Sequence, residues 1–459
     1  MGLTAFGGLS RISVYKKEIG RDGICKRRMR DSKALRLYTH THTHTRKFSD
    51  KRKIIEVGVS VAIVVVMAIV VIQLFMKKEI IEESVVTKTT GISELDGSEV
   101  DTNLKESTKP KAMVDTSSWD TSKVTVYTDK SENKAPIPVG YVVSQVIGET
   151  EINTGLVIYE GTEPVAGDEV GVPGTAAWDA SCNRNQWVWV PVPDVSRIYD
   201  KSTRKSKTYK RTQTGREEYS ANSEPVIMSS DDNEQNFSKY NLPGMTTKKL
   251  YYELDTELDE TIKSIEKYGG FYIGRYETGN VKAQNVVTYF TKPVVKRMNR
   301  NINYVTWYDA YANLRTLGAN ENVKSNIIWG CLWDETLQWF RESGAKTDEE
   351  LYNPATWGNY RISTFRYYEN TTENQIVKSR GSETMVPTGS AEQNKANNVY
   401  DMAGNVSDWT LECSGGYRRG RGSTYNTNTE NAIRDNDRNY GKPNSCYSST
   451  GVRAYMYIK

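Results

Sequence analysis

The 459-residue chain carries 61 Lys and Arg against 57 Asp and Glu, but 15 of the cations and 4 of the acids fall in residues 1–53, leaving 46 against 53 in the remainder, a net −7. A negative body excludes nucleic acid as its partner, because phosphate contacts need a basic face. All three histidines, His40, His42 and His44, lie in the basic head, so the remainder excludes Ser-His-Asp and Cys-His catalysis, histidine-held zinc or iron, and imidazole proton shuttles.

Residues 1–53 read as a disordered cytoplasmic head, with Met29 opening a shorter alternative and the tract THTHTHT over 39–45 as low complexity rather than a metal site. Residues 54–76, IIEVGVSVAIVVVMAIVVIQLFM, are the one long apolar run. As a helix they span about 34 Å, enough for a bilayer core of about 30 Å. No small-residue cleavage site follows before Lys77 and Lys78, so the run reads as a retained anchor. Six Lys or Arg in the 20 residues before it and three in the 20 after place the N-terminus inside and the rest outside. Glu56 is the position at which a pilin-like leader would carry its glutamate, but Lys53 stands where such a leader needs glycine. Residues 77–134, rich in Ser, Thr, Asp, Glu and Lys, cannot bury enough apolar surface to offset chain entropy and read as a flexible extracellular stalk.

A folded domain is expected over 135–459. Its apolar content leans on Tyr, 29 in the chain against 8 Phe, beside 34 Gly, which suits a loop-rich extracellular fold with amphipathic aromatic surfaces. GYVVSQVIGE, TGLVIYEG and QWVWVPVPDV read as strands, the last ending at its prolines. A polar insertion over 199–239 precedes a helical patch at 257–268 and the segment GGFYIGRYETG. Val305, Tyr308, Ala312 and Leu314 have helical spacing that stops at Gly318. DETLQWFRESG predicts a further helix, with Asp334 as its N-terminal cap. After Gly344 the chain reads as turns and short strands.

GGFYIGRYETG, NYVTWYDAYANL, WDETLQWF, NVYDMAGNVSDWT and a Gly/Arg-rich tail ending GVRAYMYIK together resemble the formylglycine-generating, sulfatase-modifying family over residues 136–459. The resemblance implies an α+β domain with an irregular C-type-lectin-like fold, preceded here by one transmembrane helix. Tyr400–Thr410 is similar to the family's YDMAGNVWEWT, with Ser407 replacing the first Trp and Asp408 the Glu. By this resemblance Gly404 and Val406, through their carbonyls, and Asp408, through its carboxylate, could hold calcium, which favours hard oxygen ligands. The alternative is a hydrogen-bonded turn without metal, since Asp is one methylene shorter than Glu. Either way Gly404 is expected at a close backbone approach and Trp409 in the core.

The family's enzymes oxidise a substrate cysteine with copper held by two closely spaced cysteines after an RGGS-like turn. Here the matching stretch, RRGRGSTYNTNTEN at 418–431, contains no cysteine, and Cys413 and Cys446 stand far apart on either side. A related branch uses histidine-bound iron, and this domain has no histidine. Neither copper nor iron is therefore expected, and binding is favoured over catalysis. The rival is an oxidoreductase of the same family with an unrecognised site, and a third possibility is an envelope or pilus-associated protein. Cys182, Cys331, Cys413 and Cys446 could form disulfides in three pairings or stay as free thiols.

Residues 415–450 are crowded with Asn, Tyr, Ser, Asp, Gly and Arg and nearly lack aliphatic side chains. Tyr supplies rigid contact area while Ser, Asn and Gly adapt their hydrogen bonds, the composition of a paratope. The stretch resembles variable regions of C-type-lectin-fold proteins diversified by retroelements, with Arg434, Arg438, Pro443, Gly451 and Arg453 as framework. The expected ligand-facing set includes Tyr425, Asn426, Asn428, Asp435, Asn436, Asn439, Tyr440, Asn444, Tyr447 and Ser448, directed at an extracellular protein or glycan. The alternative is a merely solvated loop surface.

Overall fold

In the computed structural model the described residues are 114–459, apart from 168–170, 219–227, 281–291, 319, 372–373, 415 and 429–439. The basic head, the apolar run 54–76 and the stalk up to residue 113 lie outside them. Among the described residues no helix is long and apolar enough to cross a membrane.

The domain is mixed α+β, built around several small sheets. Near-continuous apolar runs become inner strands because both of their faces need cover. Gln186–Pro191, whose two tryptophans and two valines are all buried, is such a strand. It pairs antiparallel with Val157–Glu160 on one side and Gly270–Gly274 on the other. The full sheet runs Val323–Ile327, Ala454–Ile458, Gly270–Gly274, Gln186–Pro191, Val157–Glu160, Tyr141–Val143, antiparallel throughout.

A long helix, Thr247–Tyr268, packs on the middle of this sheet. Thr246 caps its start by accepting the Lys249 N–H, and Gly269 ends it at φ 82°. Leu250, Leu254, Leu258, Ile262 and Ile265 recur three or four residues apart, so one stripe meets the strands. The expected patch at 257–268 is only the second half of this helix. Its first half is rich in Lys, Tyr, Glu and Asp, which hides the stripe.

A second, four-stranded sheet runs Tyr440–Gly441, Tyr417–Arg421, Ser407–Ser414, Thr450–Val452. Its last pair is parallel, with Asp408 opposite Gly451 and Trp409 opposite Val452. Only Arg453 separates Thr450–Val452 from Ala454–Ile458, so the chain passes from one sheet to the other at that residue.

Two sequence expectations need correction. Residues 114–134 were assigned to the stalk, but Val124–Thr128 and Lys134–Pro138 form a hairpin. Trp119 is buried beside it, edge-on to Tyr268, with its indole N–H on the Lys267 carbonyl at 3.0 Å. Buried Trp119 and Val124, with the buried run 135–138, anchor a segment whose average composition is polar. Asp334 does not cap a helix: the helix is Gly330–Glu342, Trp329 is its N-cap, and Asp334 lies inside it as a buried partner of Arg421 at 3.4 Å. The helical spacing read from Val305 to Leu314 is matched by the helix Trp307–Leu314, which starts after Thr306, whose side chain accepts the Asp309 N–H.

Candidate functional site

Residues 401–408 turn tightly before entering the second sheet. Asp401, Gly404 and Asn405 all have positive φ, and a Cβ on Gly404 would sit 2.2 Å from the Asn359 carbonyl oxygen. No larger residue fits there. Trp409 is buried, with its indole N–H donated to the Val305 carbonyl at 3.1 Å.

The turn encloses charge. Glu277, at the end of GRYETG, is fully buried and accepts hydrogen bonds from the side-chain amides of Asn301 and Asn405 and from the Val406 N–H. Burial, with Asp408 and Asp401 nearby, pushes its carboxyl well above the usual range. Asp408 is also raised by burial, against the pull of Arg453. The Arg453 guanidinium donates to Asp408 Oδ2 at 3.2 Å, to the Gly274 carbonyl at 3.0 Å and to the Tyr400 carbonyl at 2.8 Å. One cation thus joins the turn, the first sheet and the second.

This arrangement does not fit calcium well. Asp408 Oδ1 has no hydrogen-bond partner, but Oδ2 is committed to a guanidinium that would repel a divalent cation bound beside it. Among the described residues no group of three or more His, Cys, Asp or Glu is arranged to hold a metal. The turn's backbone N–H groups are met by neighbours, Gly404 by the Gly422 carbonyl, Asn405 by the Asn359 carbonyl and Val406 by Glu277, and Arg453 is the counter-charge of Asp408.

The expected ligand-facing residues flank the same turn. The Tyr425 N–H donates to the Asn405 carbonyl at 3.0 Å, and the Ser407 N–H donates to the Ser449 carbonyl at 2.8 Å. The 425–428 and 444–449 segments are thereby tied to one short stretch of backbone. Asn426, Asn428 and Tyr447 are exposed, and Tyr425, Asn444 and Ser448 are half-buried. Tyr440 pairs with Arg419 through its backbone. Asp435, Asn436 and Asn439 lie outside the described residues, as do Arg434 and Arg438.

The 443–449 segment is held largely by its main chain, and the Asn444 side chain also donates to Asn236 Oδ1 at 3.5 Å. Carbonyls of Pro443, Tyr447 and Ser448 accept from the Trp307 N–H, the Tyr304 N–H and the Asn303 side chain, at 3.0, 2.9 and 2.9 Å. Pro443, Gly451 and Arg453 are buried. A Cβ on Gly451 would meet Val406 Cγ2 at 2.6 Å and the Ile302 carbonyl oxygen at 2.7 Å.

Sequence reasoning missed Tyr304. It is 53% exposed beside the 52% exposed Tyr447, and it holds φ 57°, a conformation that costs a bulky residue roughly 1–3 kcal/mol. The available signal was an aromatic residue just before the helix-capping Thr306, in a stretch read only for helical spacing.

The 418–421 stretch carries arginines with buried side-chain partners. Arg418 pairs with Asp232 at 2.7 Å and lies 3.8 Å above the Trp307 ring, and Arg421 pairs with Glu412 at 2.7 Å. Cys182, Cys331, Cys413 and Cys446 form no disulfide with one another. Burial pushes the Cys413 thiol up to about 11 and raises Cys331 further, so neither is a reactive thiolate.

Comparison with family models, curated proteins and solved structures returns no match for this chain.

Proposed function

We propose that the chain is a membrane-anchored extracellular binding protein whose domain, a C-type-lectin-like fold of the formylglycine-generating type, captures a protein or glycan through its 425–449 face without catalysis. The observation that carries this reading is the division of labour at 443–449. Neighbouring residues grip main-chain carbonyls of Pro443, Tyr447 and Ser448, so the Tyr447 and Ser448 side chains can be exchanged without altering that support. Exposed Tyr447 and Tyr304 then supply rigid amphipathic contact area, and Asn426, Asn428, Asn444 and Ser448 supply adaptable hydrogen bonds. Retroelement-driven diversification of this face is part of the proposal and follows from the composition of 415–450.

The test is a capture screen of the full-length protein against cell-surface proteins and glycans, with Tyr447→Ala and Tyr304→Ala as controls. The reading expects both variants to lose capture and to melt like the parent. A ligand held equally well by both would place binding elsewhere.

A further inference from the structure

The hairpin of Val124–Thr128 and Lys134–Pro138 has two outer edges, and the sequence treats them differently. The Val139 N–H donates to the Lys123 carbonyl and the Asp129 N–H to the Asn133 carbonyl, both at 3.0 Å. Antiparallel pairs alternate between bonded and non-bonded. In the observed register Thr125 and Tyr127 therefore turn their main-chain groups inward, and Val126 and Thr128 turn theirs outward. On the partner strand the outward positions are Lys134, Pro136 and Pro138. Proline has no N–H to offer, and the Pro136 carbonyl already accepts the Tyr272 hydroxyl at 2.7 Å. That edge is closed to a further strand.

The edge of Val124–Thr128 carries none of these devices. It has no Pro, no charged side chain and no break in its register. Among the described residues nothing pairs with the outward N–H and carbonyl groups of Val126 and Thr128.

This edge borders a cleft of about 740 Å³, within the range of about 300–1,000 Å³ typical of binding sites. Thr125, Val126, Tyr127 and Thr128 all line it, whereas the partner strand adds only Ile137. Successive strand residues point to opposite faces, so four in a row border one cleft along their edge. The facing wall is 141–148 with Thr150 and Glu151, and the Tyr127 hydroxyl crosses to the Thr150 carbonyl at 3.0 Å. That wall has main-chain partners of its own: the Ser144 N–H donates to the Val157 carbonyl at 2.9 Å and the Gln145 N–H to the Val165 carbonyl at 2.8 Å.

The lining selects the guest. Donors and acceptors that alternate with the two-residue repeat of a strand are matched by another extended main chain. Val126, Val142, Val143 and the 76% exposed Ile147 offer β-branched contact, which suits Val and Thr opposite them. Lys130 and Glu151, the two charged residues of the lining, cancel, so nothing favours a charged guest. A second folded copy would have to bring its own hairpin and facing wall into the cleft, whereas a single strand brings neither.

We propose that this edge docks an extended, uncharged, Val- and Thr-rich peptide of another protein, which adds a third strand beside Val124–Thr128. The site is separate from the 425–449 face.

The experiment is a fluorescence-anisotropy titration of the labelled, end-capped peptide TVTVTV with the purified full-length protein in detergent. The comparison peptide has the same side chains but is N-methylated at every amide. TVTVTV is expected to bind and the methylated form is not, because main-chain bonds supply the affinity. Val126→Pro removes an outward N–H without breaking a bond to the partner strand, and should weaken TVTVTV by about tenfold at a parental melting temperature. Ile147→Glu, on the facing wall, should weaken it too, and its exposure keeps that test valid if the proline variant melts early. Absence of TVTVTV binding would overturn the proposal, as would equal binding of the methylated peptide or binding indifferent to both variants. A dimer that Val126→Pro abolishes and TVTVTV cannot dissociate would give the edge to a second copy, and would overturn it as well.

Discussion

Trp409 and Tyr447 are both large aromatics in the last fifty-odd residues, and the structure assigns them opposite roles. Trp409→Ala removes a buried ring whose N–H is satisfied by Val305, and should cost about 3–5 kcal/mol of stability, read as a fall in melting temperature. Tyr447→Ala removes a 52% exposed ring and leaves the backbone carbonyl that accepts from the Tyr304 N–H. It should cost about 1–4 kcal/mol of ligand affinity with no change in melting. If both melted alike, the tail would be core and the face would be lost. Asp408 supports a further prediction. Because Arg453 answers it, Asp408→Ala strands a buried guanidinium and should lose about 3–5 kcal/mol, equally in calcium and in chelator. A parental melting temperature that rose with calcium, and did so only while Asp408 was present, would reinstate the metal. Gly404 and Trp409 were legible because each is demanded by local backbone or volume. Glu277 was not, since nothing in one sequence says which carboxylate will meet Asn301, Asn405 and the Val406 N–H across long loops.

The long helix places Glu257 on its apolar stripe, where Asn326 and Tyr455 hydrogen-bond it and burial pushes it up to about 7. Glu335 is likewise raised by burial to about 7 and Asp334 to about 6. A carboxyl raised in the folded state holds its proton more tightly there than in the unfolded chain. Its contribution is therefore fully present below the unfolded value and disappears as pH rises through the folded one. Glu392 behaves oppositely: although burial opposes it, Arg297 and Lys395 hold it at about 2, so its contribution fades only in strong acid. Between the ordinary carboxyl range and neutrality the raised groups decide the slope. The melting temperature should fall from about pH 5 to about pH 8, and Glu257→Gln should flatten part of that fall; a flat parental profile would contradict the buried-carboxyl account. The hairpin 124–138 gives an element-scale prediction of its own. A fragment starting at residue 136 deletes Trp119 and most of the hairpin, so it should melt well below one starting at 114. Equal melting would return those residues to the stalk. Strands such as Gln186–Pro191 were readable from their apolar runs. The early half of the long helix and the hairpin were not, because charged exposed faces outnumber the few buried anchors.

For the whole molecule, charge asymmetry about the apolar run 54–76 predicts that the protein fractionates with membranes and that protease added to intact cells removes the domain while sparing the basic head. Protection of the domain would invert the topology. The path of the chain through the domain bears on how such a protein can be made. Ala454–Ile458 lies between Val323–Ile327 and Gly270–Gly274, and Thr450–Val452 closes the second sheet, so one stretch near residue 450 completes both sheets after every segment it joins. Until it arrives, Gly270–Gly274 keeps an unpaired edge and Val323–Ile327 has no sheet to join, and edges of this kind recruit other chains. A nearly finished domain therefore needs shielding until Ala454–Ile458 has paired. A nonsense codon just before residue 450 should yield aggregates, not a weakened binder.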